Sequence, residues 1–187
     1  MSHAGGKRFL AAGVLLLVAL LAPTEAAAHD RPMYAGFGGG PYLNLDCCRV
    51  HGRLTGEFGF HFSRNDTGFL IAFEAMPTFG DDFFFFLGGV RFGGDIEVYG
   101  RHEYAIMLRP SGLVGFGWFD LYGGNPDWGV FVVQPAFDFR FVFAHRVLAL
   151  WVRPVAFDFI FFFDRGGRDL YWTPSYQFLL GLDFQFG

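Results

Sequence analysis

The amino-acid sequence predicts an all-β fold, a closed antiparallel up-and-down transmembrane β-barrel that is best explained by eight strands. Three observations lead to this prediction. Aromatic residues make up 21% of the chain, including 28 phenylalanines, whereas charged residues make up only 17%. Beyond residue 28 no stretch approaches the ~20 consecutive apolar residues of a membrane-spanning helix. Apolar and polar residues instead alternate with the period of two that is typical of β-strands.

The first 28 residues have the organisation of a cleaved secretory signal peptide. Lys7 and Arg8 precede an apolar run over residues 9–22, and the small residues 26–28 offer a cleavage site before His29. The apolar run is too short to span a bilayer as a helix. We therefore predict a signal peptide over residues 1–28 and a single barrel domain over residues 29–187.

The alternation places the strands at residues 33–45, 52–64, 67–78, 83–99, 103–120, 129–143, 147–163 and 174–186. Residues 110–112 could form a turn that splits the fifth strand and gives ten strands. However, the apolar residues keep to even-numbered positions on both sides of this segment, and this unbroken parity favours one strand. Parity is also unbroken from 83 to 99. It shifts by one near Val155 and Ala156, as a β-bulge would cause. Residues 144–146 are expected to form a tight turn.

The phenylalanines and the charges fall on opposite faces of the predicted strands. Phe137 and Phe139 alternate with Asp138 and Arg140 in the sixth strand, for example. The interior of an eight-stranded barrel is narrow, so a uniform face of bulky rings fits the outside better. The absence of lysine after Lys7 also argues against a soluble surface. The opposite assignment, a secreted soluble barrel with an apolar interior, is the less favoured alternative.

Parity assigns a polar network to the barrel interior, with eight acids and four arginines. Its predicted members are Glu57, His61, Glu74, Arg91, Asp95, Glu97, Glu103, Arg109, Asp138, Arg140, Arg153, Asp158 and Asp183. Buried charges need partners, so we expect arginine–carboxylate bridges that fill the interior. The excess acids would lie at wet ends, be protonated or bind a cation. An ion or proton path is the alternative.

Large aromatic residues predict two interfacial girdles near the two sets of strand ends. One girdle would contain Tyr99, Tyr104 and Trp151, and the other Trp118, Tyr122, Trp128, Tyr171 and Trp172.

The last residues, "GLDFQF", place Gly181, Phe184 and Phe186 in a glycine-x-x-aromatic-x-aromatic pattern, and "YAGFGGGPYLN" is a glycine-rich first strand. In these features the chain resembles the small outer-membrane β-barrel proteins of Gram-negative bacteria, over the whole predicted domain. The resemblance implies a location in the bacterial outer membrane and insertion by the barrel-assembly machinery. It also implies contact with outer-membrane lipid and lipopolysaccharide, and a periplasmic position for both chain ends.

Catalytic, metal and cofactor sites are not expected. Ser63, Ser111 and Ser175 have no histidine and acid in register. His61 and Glu57 are neighbours on one strand face, as an acid–base pair would be, but a structural hydrogen bond is favoured because no nucleophile accompanies them. A net charge of −4 without a basic run argues against nucleic-acid binding.

Cys47 and Cys48 are the only cysteines, and they lie in the first predicted outer loop. Adjacent cysteines can close only a strained ring, and two cysteines do not make a zinc site. An exposed pair is favoured, with an intermolecular bridge, a thiol pair or a metal contact left open.

These observations predict an integral outer-membrane barrel with a side-chain-filled interior and a non-catalytic structural or interaction role in the envelope. A lipid-modifying or lipid-binding enzyme and a narrow, porin-like channel are the alternatives.

Overall fold

A computed structural model describes residues 32–46, 48–62, 67–81, 83–101, 103–121, 128–163 and 170–187. The predicted signal peptide, Cys47, Ser63 and Tyr122 lie outside these residues. The strands are β1 (Met33–Asn44), β2 (Arg49–His61), β3 (Gly68–Phe79), β4 (Phe83–Gly100), β5 (Ala105–Leu121), β6 (Trp128–Phe143), β7 (Leu148–Phe163), β8 (Leu170–Gln177) and β9 (Leu179–Phe186). None of the described residues belongs to a helix long and apolar enough to cross a membrane.

The strands form one closed antiparallel barrel. Each strand from β1 to β7 pairs with the next along the chain, and β1 also pairs with β8 and β9, which closes the sheet. Only Phe178 separates β8 from β9, and both segments pair with β7 and β1. They are therefore one barrel strand, and the barrel has eight. Strand β5 runs without interruption through residues 110–112. The predicted fold is confirmed, and the ten-strand alternative is wrong.

Two β-bulges interrupt the alternation. Phe137 lies opposite Val155 but Phe139 lies opposite Val152, so β7 has one extra residue within two positions of the predicted bulge. Near the end of β4, Glu97 lies opposite Met107 but Tyr99 lies opposite Ile106, which leaves an extra residue there as well. The predicted unbroken parity of residues 83–99 is therefore wrong at its end. Bulges are common at barrel rims, where the ladder ends and the strand twists more strongly.

A tight turn joins β6 to β7, as the sequence predicts. Ala144, His145 and Arg146 have φ angles of 54°, 55° and 65°, in the left-handed region that disfavours side chains. The amide of Val147 donates to the carbonyl of Ala144 at 3.2 Å. The Arg146 guanidinium lies 2.8 Å from Glu97, which ties this turn to the end of β4.

The barrel is apolar outside and largely polar inside. Outward rings include Phe116 and Phe73, whose side chains are 73% and 67% exposed. Three clusters of buried hydrophobic residues lie inside the barrel. At the end where β1, β3, β5 and β7 finish, here called the loop end, one contains Met76, Phe85, Leu87, Leu113, Val130, Val132 and Ile160. At the end where β2, β4 and β6 finish, here called the turn end, a second contains Ala105, Met107, Val142 and Ala149, and a third contains Tyr34, Leu70 and Ala72. The ionisable interior residues lie mainly between these clusters.

Candidate functional site

The candidate site is the network of buried ionisable side chains inside the barrel, here called the lumen network. Each of its members is at most 9% exposed. Among the described residues it contains six carboxylates, five arginines and one histidine: Glu57, Glu74, Asp95, Asp138, Asp158, Asp183, Arg53, Arg91, Arg109, Arg140, Arg153 and His61. These residues point inward because they share the parity opposite to the outward rings.

Asp95 organises the part of the lumen network nearest the turn end. Its two oxygens accept hydrogen bonds from Nε and Nη2 of Arg109, both at 2.7 Å. Nη1 of Arg140 and Nε2 of His61 lie 2.5 and 2.8 Å from the same carboxylate. Arg140 continues to Asp183, with Nη2 at 2.5 Å. One carboxylate thus holds side chains from three other strands.

Glu74 occupies the middle of the lumen network. Arg91 donates to it at 2.5 Å, Arg153 at 2.9 Å and the hydroxyl of Thr55 at 2.7 Å. Arg153 also binds both oxygens of Asp138, at 2.7 and 3.0 Å, in the bidentate geometry that planar guanidinium groups favour. The bulge in β7 lies beside Arg153 and turns this side chain inward.

Glu57 does not pair with His61, although the two residues lie on the same strand face. The Tyr34 hydroxyl donates to Glu57, and Nη1 of Arg109 lies 3.1 Å from its carboxylate. His61 instead pairs with Asp95, and only its ring approaches Tyr34, at 5.4 Å between centroids. The predicted Glu57–His61 hydrogen bond is wrong because arginines from across the lumen surround Glu57.

Arg53 is the main member that the sequence analysis missed. It is 1% exposed, and it donates to Asp158 at 2.5 Å, to Thr78 at 2.6 Å and to Gln177 at 2.8 Å. Its inward position could have been predicted, because Arg53 falls in a predicted strand and, like Glu57, has an odd number. Gln134 falls on the predicted inward face with Asp138 and Arg140, although it was not among the predicted network members, and it bridges Arg91 and Asp158 at 2.5 and 2.6 Å.

Glu97 and Glu103 do not lie in the interior, contrary to prediction. Both are exposed. Glu97 follows the last inward position of β4, where the bulge breaks the parity, and Glu103 precedes the first residue of β5. Their removal and the addition of Arg53 reduce the predicted excess of acids to six against five arginines. The arginines therefore nearly balance the carboxylates.

The comparisons with known proteins concern the fold. No protein-family model matches the sequence, and no curated protein matches it. Among solved structures, Neisserial surface protein A superimposes with a TM-score of 0.53 and 10% identity, covering 82% of this chain and 96% of that one. Ail, the attachment invasion locus protein of Yersinia pestis, gives a TM-score of 0.44 and 12% identity, covering 84% and 99%. The chain has the fold of a small outer-membrane β-barrel protein.

Trp151 lies inside this barrel, 4% exposed, and the prediction that it joins an outer girdle is wrong. Its ring packs against Gly38 and Gly181, two positions of the barrel wall that have no side chain. A Cβ on Gly38 would lie 2.6 Å from the ring, and one on Gly181 would lie 2.4 Å from it. Gly181, predicted as part of a C-terminal insertion signal with Phe184 and Phe186, thus also has a packing position on β9.

Among the described residues, the remaining candidate serines and Cys48 form no catalytic arrangement. Ser111 accepts a hydrogen bond from Arg91 at 2.8 Å, and Ser175 is fully buried beside Asp158 in the β7–β8 register. Neither is bonded to a histidine in the part of the chain that the structure describes. Within that part, no group of three or more His, Cys, Asp or Glu residues is arranged to hold a metal. Cys48 is exposed, with φ at 55°.

Proposed function

We propose that the chain is an integral protein of the bacterial outer membrane with a non-catalytic structural or interaction role in the envelope. The observation that carries this proposal is the inverted distribution of side chains. Phe58, Phe73, Phe116 and Phe139 are 50%, 67%, 73% and 49% exposed, whereas every arginine of the lumen network is at most 2% exposed. Soluble monomers rarely expose contiguous apolar patches larger than a few hundred Å². An exposed apolar surface of this kind is compatible with the hydrocarbon core of a membrane.

The lumen network supports a closed barrel rather than a channel. Arg153 contacts Asp138 and Glu74, and Arg109 contacts Asp95 and Glu57, so guanidinium groups cross the lumen at several levels. The apolar cluster around Phe85 fills the lumen at the loop end. An eight-stranded barrel is just wide enough for its side chains to fill it, and these contacts favour a closed barrel over the alternative of a narrow channel.

The proposed cellular route follows from the two chain ends. The signal peptide would direct export and be cleaved, and the pattern of Gly181, Phe184 and Phe186 would direct insertion by the barrel-assembly machinery. In the membrane, the outward rings would contact the acyl chains of outer-membrane lipids, and the loop end would face lipopolysaccharide.

Two measurements test this proposal. The first is fractionation of expressing cells, followed by electrophoresis with and without heating. We expect the chain in the detergent-resistant outer-membrane fraction, with a mobility that changes on heating. Recovery from the soluble periplasm would contradict the membrane location.

The second is single-channel recording of the purified protein in planar bilayers. We expect no stable conductance, since charged side chains and apolar clusters fill the lumen. A steady, reproducible conductance would replace the closed barrel with the channel alternative, while leaving the membrane location intact.

A further inference from the structure

A shallow cavity, largely open to its surroundings and with a volume of about 470 Å³, lies on the barrel wall at the turn end, between the start of β5 and the end of β6. Glu103, Tyr104, Phe141, Phe143, Ala144 and His145 line it. Phe141 is 47% exposed, and its ring stacks on that of Phe143 with the centroids 5.9 Å apart. The Tyr104 ring lies 6.0 Å from that of Tyr99. One half of this cavity is therefore an aromatic surface.

The other half of the cavity is polar, with Glu103 and His145 in its lining, and Arg101 adjoins it through Tyr99, whose ring contacts that of Tyr104. Glu103 is exposed, and no described residue forms an ion pair with it, whereas nearby Glu97 is paired with Arg146 at 2.8 Å. The backbone amide of Arg101 donates to the carbonyl of Tyr104 at 2.7 Å, which brings Arg101 and Glu103 into one turn. Nε of Arg101 donates to the Tyr99 hydroxyl at 3.1 Å and so holds the guanidinium beside the aromatic rings.

This combination matches the chemistry of one class of lipid. A carboxylate next to an aromatic face attracts an ammonium group and accepts its N–H donors. A guanidinium group binds phosphate, and the paired phenylalanine rings offer a surface for the glycerol backbone and the first acyl carbons. A phospholipid with a primary-ammonium headgroup presents all three of these parts. An anionic headgroup without an amine leaves Glu103 unneutralised, and a quaternary amine has no N–H to donate.

We propose that this cavity binds a phospholipid with a primary-ammonium headgroup, with Glu103 in the lining as the ammonium acceptor and Arg101, just outside the lining, as the phosphate contact. The inference rests on the proposed membrane location, because the lipid must reach the cavity from the bilayer.

Native mass spectrometry of the barrel released from detergent micelles tests the inference. The micelles would contain equal amounts of phosphatidylethanolamine, phosphatidylcholine and phosphatidylglycerol with identical acyl chains. We expect the wild-type barrel to retain the ethanolamine lipid preferentially, and Glu103→Gln to reduce that retention roughly threefold, as an exposed ion pair with an aromatic neighbour would give. Asp81→Asn is the matched control, because it removes an exposed carboxylate at the opposite end of the barrel and should leave retention unchanged.

Equal retention of the three lipids by the wild-type barrel would overturn the inference, as would unchanged ethanolamine-lipid retention in Glu103→Gln. An equal loss in Asp81→Asn would do the same, because it would indicate a general effect of charge. The proposed membrane location fails by a different result, namely recovery of the chain in the soluble fraction without heat-modifiable mobility.

Discussion

Nη1 of Arg53 lies 2.5 Å from Oδ2 of Asp158, and this buried pair joins β2 to β7 across the lumen. Replacing Arg53 with Met would leave Asp158 with an uncompensated buried charge and, among the described residues, Gln134 as its one remaining side-chain donor. We expect Arg53→Met to lower the free energy of unfolding by about 3–5 kcal/mol. Urea unfolding in detergent micelles, followed by tryptophan fluorescence, measures this change.

The matched control is Arg146→Met, which removes the partly exposed pair with Glu97 at the turn end. Exposed pairs contribute little, so we expect a loss of about 1 kcal/mol or less. Equal losses of unfolding free energy in the two variants would contradict the prediction, because the buried pair would then stabilise the barrel no more than the exposed pair.

The outward face supports a second prediction, which concerns depth in the membrane. Phe73 lies at the middle of β3 and Val50 near the start of β2, and both are well exposed, at 67% and 66%. A cation costs about 2–4 kcal/mol at the bilayer midplane and about 0–1 kcal/mol near the interface. Phe73→Arg should therefore reduce the folded fraction in lipid vesicles far more than Val50→Arg. Equal effects of the two substitutions would be inconsistent with a membrane around this face.

Gly181 gives a third prediction. A Cβ at this position would lie 2.3 Å from the Phe37 carbonyl oxygen and 2.4 Å from the Trp151 ring, whereas a Cβ at Gly56 would meet nothing within 4 Å. Gly181→Ala should lower the free energy of unfolding by about 1–3 kcal/mol. Gly56→Ala should leave it nearly unchanged. If Gly181 served only the insertion signal, its variant would insert slowly but unfold like the wild type.

The turn between β6 and β7 gives a fourth prediction. Ala144 has a φ of 54°, in a region that disfavours a Cβ by about 1–2 kcal/mol. Ala144→Gly should therefore raise the free energy of unfolding, by about 0.5–1 kcal/mol after the added flexibility of glycine in the unfolded chain. The same substitution at Ala149, a fully buried position in β7, should lower it. If both variants lowered the free energy of unfolding, the positive φ of Ala144 would not be destabilising the turn.

The strands were predictable because each of them separates a ring face from a polar face, and a period of two is visible in one sequence. The same parity predicts the inward position of Asp95, Arg109 and Asp138. It fails for Glu97, since a bulge is a property of two paired strands and the unbroken alternation of β4 does not reveal it. Parity also points Trp151 inward, beside Arg153, and its buried position follows this parity rather than the expected aromatic girdle.

The partners within the lumen network were not predictable. His61 pairs with Asp95 on β4 rather than with Glu57 on its own strand. Which side chains meet inside a barrel depends on the stagger between strands that do not touch each other, and parity fixes only the direction in which a residue points. Arg53 illustrates the same limit, because its inward direction follows from parity whereas its partners could be identified only from the structure.

The lumen network also bears on how the barrel assembles. Arg153 on β7 needs carboxylates on β2, β3 and β6, and Arg109 on β5 needs partners on β1, β2 and β4. No four consecutive strands contain all the partners of both arginines. An intermediate with an open sheet would therefore leave some of these charges without their partners until the barrel closes. Closure of the last seam and neutralisation of the lumen are therefore coupled steps, which favours cooperative, all-or-none assembly over strand-by-strand growth.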